Sequence, residues 1–350
     1  MEKKKAKPTI KLIASEAGVS LATVSNALNG KPGVNQETSR QVFAIAKRLG
    51  YFEHNSKSNA SMKLKEIRAI RVIKFRRHGL VVQDTPFFSE LLNSIETECN
   101  LQGFELLFAQ IYGKLPEDRR RMVQLLEDKN VANIILATEM CLEDLELIEA
   151  AEAPYILLDS YFCGFGFNSV TINNYEAGYM ATNHLIAKGH QQIGMINSST
   201  GFNNMYYRWL GYKDALTQAG LPVRSEWEVQ VEPTIKGSYR DMIQWLSTNS
   251  ILPTAFFAAN DMMAAGAVRA LQEKDLQVPD DISIISMDNT PVCQAVNPSL
   301  STIHVYKQEL GSAAVRELLS LIQSAEPCHR LVEIGVRLVE RSSVYSLIKL

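Results

Sequence analysis

From residue 68 onward, short apolar runs alternate with longer amphipathic segments, and this alternation constrains the chain more than any other feature. "AIRVIKF", "FELLFAQ", "NIILAT" and "YILLDS" have strand length, and "FFSELLNSIETECNLQ" and "EDRRRMVQLLEDK" between them have helical periodicity. A second series follows, with strands "SVTIN", "QIGMIN", "WEVQVE", "TAFFAA" and "ISIISMD" separated by helices. Strands joined through helices return parallel to one another, so the expected fold is an α/β body of two doubly wound parallel-sheet subdomains. Ligands of such sheets bind at the carboxyl ends of the strands, which places a binding cleft between the two units.

Residues 9–49 carry a different pattern, an all-α head of three short helices. Thr9 is the expected cap of "IKLIASEA", Gly18 ends it, Ser20 caps "LATVSNAL" and Asn35 caps "QETSRQVFAIAKRLG". Ile10, Ile13, Ala14, Val19, Val24, Leu28, Val42, Ile45 and Leu49 can meet in one small core. The expected division is a head over 1–56, a hinge linker over 57–67 and a body over 68–350. Within the body, one subdomain takes about 68–170 and 304–330, the other about 171–303 and 331–345.

The net charge of −2 conceals a strong asymmetry. Residues 1–78 hold 17 Lys and Arg against 5 Asp and Glu, a balance of +12; the remainder holds 19 against 33, a balance of −14. A cationic head on an acidic body points to a polyanion bound at one end. The five cysteines are scattered without a CxxC, so neither a disulfide framework nor a zinc site is expected, and a reducing cytoplasm fits. No signal peptide, membrane span, cofactor or metal is expected.

The head has the mechanics of a helix-turn-helix. Ala14 lets two helices approach, Gly18 takes the chain through the turn, and Val19 and Val24 bury beneath the second helix. The exposed start of that helix, Leu21, Ala22, Ser25 and Asn26, would enter a DNA major groove, with surrounding cations on phosphates. Asn26 can pair two-pronged with adenine, and Leu21 or Ala22 can touch a thymine methyl. A three-helix protein-binding module would share this outline.

With these residues in view, the chain resembles the LacI/GalR family of bacterial transcription regulators along essentially its whole length. The blocks that carry the resemblance are "TIKLIASEAGVSLATVSNALNG", "LGY" at Leu49–Tyr51, "TPFFSELLNSIE", "YRWLGYKDAL", "FFAANDMMAAGAVRAL" and "VPDDISIISMDNTP". The resemblance implies a homodimeric, lactose-repressor-like repressor whose two heads read a palindromic operator. Its body would resemble a periplasmic sugar-binding protein, and a small effector, a sugar or a sugar phosphate, would control it allosterically. By position, Leu21, Ala22 and Asn26 match base-reading residues, and Thr23, Ser25 and Asn29 match residues on the DNA backbone, with Thr9 beside them. Phe87 and Phe88 match the apolar wall of the effector pocket; Asp159, Arg208, Asn260 and Asp288 match its polar groups. The alternative is a sugar-sensing, solute-binding protein whose head grips another protein.

Three segments depart from the family pattern. Asn26 stands where an arginine is usual, which favours an A·T-containing half-site. The linker "EHNSKSNASMKLK" has no clear leucine wedge for the minor groove, leaving Met62 or Leu64 to serve. "KFRRHGLVVQD", residues 74–84, is longer and more basic than usual and is expected to be a solvated loop. A catalytic reading finds no support: "GFGFNS" lacks the third glycine of a dinucleotide turn, no Walker, HExxH or GxSxG motif occurs, and His184 and His190 are expected at the surface or as caps. Asp159, Asp261 and Asp288 could be arranged as glycosidase carboxylates, but Asp261 reads better as the cap of "MMAAG". "MYYRW" at Met205–Trp209 could stack on a ligand ring, and Arg208 within it needs a partner.

Overall fold

The computed structural model describes residues 10–28, 36–49, 64–82, 85–149, 151–324 and 328–348. The head is α1 (Ile10–Ala17), α2 (Leu21–Leu28) and α3 (Gln36–Arg48). Gly18 turns the chain at φ +65°, a region L side chains avoid, and the Val19 N–H donates to the Ala14 carbonyl at 3.1 Å. Ser20 caps α2, its Oγ accepting the Thr23 N–H at 3.0 Å. Ile13, Val24 and Val42 are fully buried, and the small Ala14, Ala17, Ala27 and Ala46 fill the rest of this core. Ile10, Val19, Ile45 and Leu49 are half-buried around it. Arg48 pairs with Glu16, tying α3 to α1. Thr9, Asn29, Asn35 and Met62 lie outside the described residues.

The body opens earlier than residue 68. Leu64–Glu66 forms a 3-10 turn, and Leu64 and Ile67 pack on the body's core before β1 (Ala69–Arg76) begins. Leu64, one of the two wedge candidates, is therefore a half-buried residue of the body. There follow α4 (Pro86–Leu101), β2 (Glu105–Tyr112), α5 (Pro116–Leu125), β3 (Val131–Leu136), α6 (Glu146–Glu149), β4 (Tyr155–Leu158) and β5 (Ser169–Ile172). The chain crosses over and builds α7 (Asn174–Ala187), β6 (Ile193–Ser198), α8 (Asn203–Gln218), β7 (Glu228–Val231), α9 (Ile235–Thr248), β8 (Ala255–Ala258), α10 (Asp261–Glu273), β9 (Ser283–Asp288), α11 (Val292–Ala295) and β10 (Ser301–Val305). It returns as α12 (Lys307–Gln323) and β11 (Leu331–Ile334), then crosses a last time into β12 (Val336–Val339).

The two sheets have orders β11-β5-β4-β3-β1-β2 and β12-β10-β9-β8-β6-β7. All pairings are parallel except β10 with β12. Strand β3 is buried along its whole length, as expected of a central strand covered on both faces. The crossovers fall at 172–174, 305–307 and 334–336, a few residues beyond the expected boundaries. The largest correction is β11: Leu331 and Ile334 pair with Ser169 and Ile172, so this strand belongs to the first subdomain. The chain then needs only Gly335 to reach the second sheet.

Helices α7 and α8 cross so closely that side chains are excluded at the crossing. A Cβ on Gly178 would sit 2.0 Å from the Arg208 carbonyl oxygen, and one on Gly211 would sit 2.1 Å from that of Tyr175. Gly178→Val should therefore force the helices apart at a cost of roughly 1–3 kcal/mol. In a thermal melt the body's Tm should fall by roughly 3–10 °C. A wild-type melt would mean that the crossing is looser than the backbone spacing indicates.

Candidate functional site

Between the subdomains lies a cavity of about 120 Å3, at the carboxyl ends of the strands. All six expected effector residues line it: Phe87, Phe88, Asp159, Arg208, Asn260 and Asp288. Leu80, Val81, Thr138, Phe202, Asn204 and Thr290 line it as well, and reading the sequence did not single these out for the site.

Each polar group is presented by a strand end or a helix start. Asp159 directly follows β4 with φ 59°, and Asp288 ends β9 with φ 108°. Left-handed backbone at two non-glycine residues is costly, and the short polar side chain of Asp tolerates it best. The Asp159 carboxylate accepts from Thr138 Oγ1 at 2.7 Å and from Asn204 Nδ2 at 3.1 Å. Asn204 also donates to the Asp159 carbonyl at 2.9 Å, so a residue of α8 spans the cleft to the first subdomain.

Arg208, only 4 % exposed, is held on three sides. Its Nε donates to Asn174 Oδ1 at 2.8 Å, one Nη donates to the Ala259 carbonyl, and the other lies 3.8 Å from Asp288. Phe87 and Phe88 meet edge to face, 5.0 Å between centroids. Lys307, missed in the sequence, is buried behind them. It donates to the Asp288 carbonyl at 2.9 Å, lies 5.8 Å from the Phe87 ring centre and pairs with Glu90 at 3.6 Å.

Several sequence expectations are corrected here. Asn260, not Asp261, caps α10, accepting the Met263 N–H at 2.8 Å, which leaves both hydrogens of its amide nitrogen to donate. Asp261 is fully buried and accepts from Ser286, Thr290 and Thr302, a bracket joining α10 to the ends of β9 and β10. In "MYYRW", Met205 and Arg208 reach the cavity, whereas Tyr207 stacks on Tyr161 at 4.9 Å and Tyr206 on Trp209 at 5.9 Å. His184 and His190 are buried rather than exposed; His190 bridges Thr254 Oγ1 and the Tyr345 carbonyl. "GFGFNS" places the buried Phe165 and Phe167 rings in parallel, 6.3 Å apart, as a packed loop. The described part of the 74–84 segment, residues 74–82, is not a solvated loop. Arg77 pairs with Asp144 and Glu143, Val82 is buried, and Leu80 and Val81 form cavity wall.

In the head, Leu21 is 48 % exposed, Ala22 is exposed, and Thr23, Ser25 and Asn26 are half-exposed. The described part of the expected reading face is therefore open. Among the described residues no helix is long and apolar enough to cross a membrane.

Residues 9–53 match the family model for bacterial regulatory proteins of the lacI family, and residues 182–344 match that of a periplasmic binding protein-like domain. The HTH-type transcriptional repressor PurR of Histophilus somni (strain 2336) is 33% identical over 97% of this chain and 99% of its own. The chain belongs to the lacI family. It is a DNA-binding transcription regulator and not an enzyme. Among solved structures, a LacI family regulator from Enterococcus faecium with bound ribose is 27% identical, at a TM-score of 0.65 over 79% of this chain and 100% of that one. The lac repressor dimer bound to operator and the anti-inducer ONPF shares the fold, with a TM-score of 0.68, 24% identity and coverage of 97% of this chain and 100% of that one.

Burial raises the Asp159 carboxyl to about 6, with Thr138, Arg208 and Asn204 opposing the rise. Burial also raises Asp288 to about 7; Arg208 opposes this and the nearby Asp261 carboxylate adds to it. Both folded-state values lie above those of an unfolded chain. The stability these groups contribute is thus present at low pH and lost as pH rises through about 6 and about 7. Asp288→Asn should flatten the fall in stability between pH 5 and 8 and leave the body roughly 1–3 kcal/mol more stable at pH 8. Urea denaturation at a series of pH values measures this; an unchanged pH slope would place the ionisable group elsewhere.

Proposed function

We propose that this chain is a dimeric transcriptional repressor whose two heads read the halves of a palindromic operator under the control of a small, uncharged sugar bound between the subdomains. The observation that carries the reading is the cleft itself. A carboxylate from each subdomain, Asp159 and Asp288, faces the Arg208 guanidinium across an apolar wall that contains Phe87 and Phe88. Carboxylates and guanidinium serve sugar hydroxyls, and a flat apolar surface serves the face of the ring.

Size and charge narrow the effector. At roughly 10–15 Å3 per water on the same measure, the cavity takes on the order of ten waters, about the bulk of one sugar ring. Arg208 and Lys307 already spend their donors on Asn174, the Ala259 and Asp288 carbonyls and Glu90, so a free sugar suits the site better than a sugar phosphate. The ribose held by the Enterococcus faecium regulator is of this class.

On DNA, Leu21, Ala22 and Asn26 would read base edges, with Asn26 on an adenine, while Thr9, Thr23, Ser25 and Asn29 engage the backbone. With Leu64 held on the body, a minor-groove wedge falls to Met62. The dimer is supported by an apolar surface on the edge strand β2 and the adjoining α5: Phe108 is 56 %, Tyr112 42 %, Leu115 53 % and Val123 37 % exposed. Acting on DNA, the protein would work in the cytoplasm.

Fluorescence anisotropy tests the DNA reading. A palindrome should bind far more tightly than a duplex of equal length carrying one half-site, and Asn26→Ala should weaken operator binding by roughly 1–3 kcal/mol. Equal binding of palindrome, half-site and scrambled duplex would refute it. A thermal-shift screen of free and phosphorylated monosaccharides tests the cleft. A free sugar at about 100 times its Kd should stabilise the body by about 2.7 kcal/mol. Arg208→Ala should abolish that response and leave operator affinity unchanged; a mutant responding at wild-type concentrations would move the effector elsewhere.

A further inference from the structure

Glu139 lies beyond the end of β3, and its side chain is fully buried. Its carboxylate is spent on backbone: Oε2 accepts the N–H groups of Arg77, His78 and Gly79 at 2.8, 3.0 and 2.9 Å. Oε1 accepts those of Val81 and Val82 at 3.0 and 2.8 Å. Gly79, at φ +67°, lets the loop curl around this single anchor. Burial alone would raise the carboxyl's pKa, but these N–H groups, those of Gly79 and Val82 foremost, hold it below the ordinary range, so it stays charged.

The loop so held does two things at the cleft. Leu80 and Val81 become cavity wall. His78 reaches the other subdomain: its ring lies 5.1 Å from that of Phe202, which precedes α8 and also lines the cavity. The Leu80 N–H donates to His78 Nδ1 at 3.1 Å, and burial lowers the ring's pKa, which together favour a neutral imidazole with its proton on Nε2. That Nε2 is buried and, among the described residues, has no hydrogen-bond partner, at the boundary between the subdomains.

We propose that Glu139 is a positioning residue of the effector site, and that the loop it anchors, Arg77–Val82, is a latch that joins the two subdomains through His78 and Phe202. This names further residues of the cleft and so rests on the cleft being the effector site. Glu139 touches no part of the cavity; it acts by fixing the wall and the latch.

Hydrogen–deuterium exchange on the full-length protein without ligand or DNA tests the latch, and therefore does not depend on the effector's identity. Glu139→Gln replaces one accepting oxygen with a donor. The amides of 77–82 should then exchange at least about tenfold faster, since a hydrogen bond to a charged acceptor is worth more than that factor. The Tyr206 amide, bonded to the Phe202 carbonyl at 3.2 Å in the first turn of α8, should exchange faster too. His78→Ala should keep the amides bonded to Glu139 protected, release only the Leu80 amide from the loop and speed Tyr206, and His78→Phe, which retains a ring against Phe202, should restore Tyr206. Amides of β8 should match wild type in every variant that folds. If Glu139→Gln does not fold, the two His78 variants decide the question alone. Wild-type exchange at Tyr206 in His78→Ala would overturn the latch, while leaving the cleft to stand or fall on the Arg208 screen.

Discussion

The body is organised around one buried guanidinium. An arginine sealed from water must satisfy its donors nearby, and the acceptors that Arg208 finds come from separate parts of the second subdomain. Asn174 sits just past the first crossover, Ala259 just past β8, and Asp288 at the end of β9. The start of α8, the crossover and two strand ends are thereby fixed to one another. The near-contact of α7 and α8 at Gly178 and Gly211 brings that helix start to the crossover in the first place. Any ligand that engages Arg208 therefore acts on a group bonded directly to the first crossover between the subdomains.

Across the cleft the first subdomain answers with Asp159, bonded to Asn204 of α8, and with the loop anchored on Glu139. The two aspartates occupy equivalent places, each at the end of a strand and each in left-handed backbone. Burial raises their carboxyls to about 6 and about 7, and hydroxyl donors beside them would favour the charged forms. Strain and desolvation are concentrated where a ligand would sit, as is usual for functional sites.

The fold was legible because its signals are local and periodic: strand-length apolar runs, amphipathic helices, Gly18 in the turn and Ser20 at the cap. The boundaries were less so. Leu331–Ile334 carries no mark of which sheet it will join, since that is settled by pairing with Ser169–Ile172, about 160 residues away. The six pocket residues came from position within a family pattern, and all six line the cavity. What escaped were residues whose role depends on distant partners. Asn204 and Thr138 look ordinary until Asp159 is placed beside them, and Lys307 looks like a surface lysine until α12 buries it behind Phe87. Glu139 was invisible for the same reason. Its partners are backbone amides, which no side-chain motif records, so a basic run that reads as solvated is in fact pinned from beneath. Asp261 was misassigned as a cap because Asn260 beside it can cap the helix equally well, and only the burial of Asp261 among three hydroxyls decides between them.

The central claim is that one cleft and two DNA-reading heads form a single thermodynamic unit. Linkage makes this testable in a way that no single-site measurement is: if sugar alters operator affinity by some factor, operator must alter sugar affinity by the same factor. Calorimetric titration of the stabilising sugar into the protein, free and saturated with palindromic operator, measures it. The account predicts two dissociation constants that differ by roughly 5- to 150-fold and match the sugar-induced change in operator affinity. Identical constants in the two titrations would contradict it.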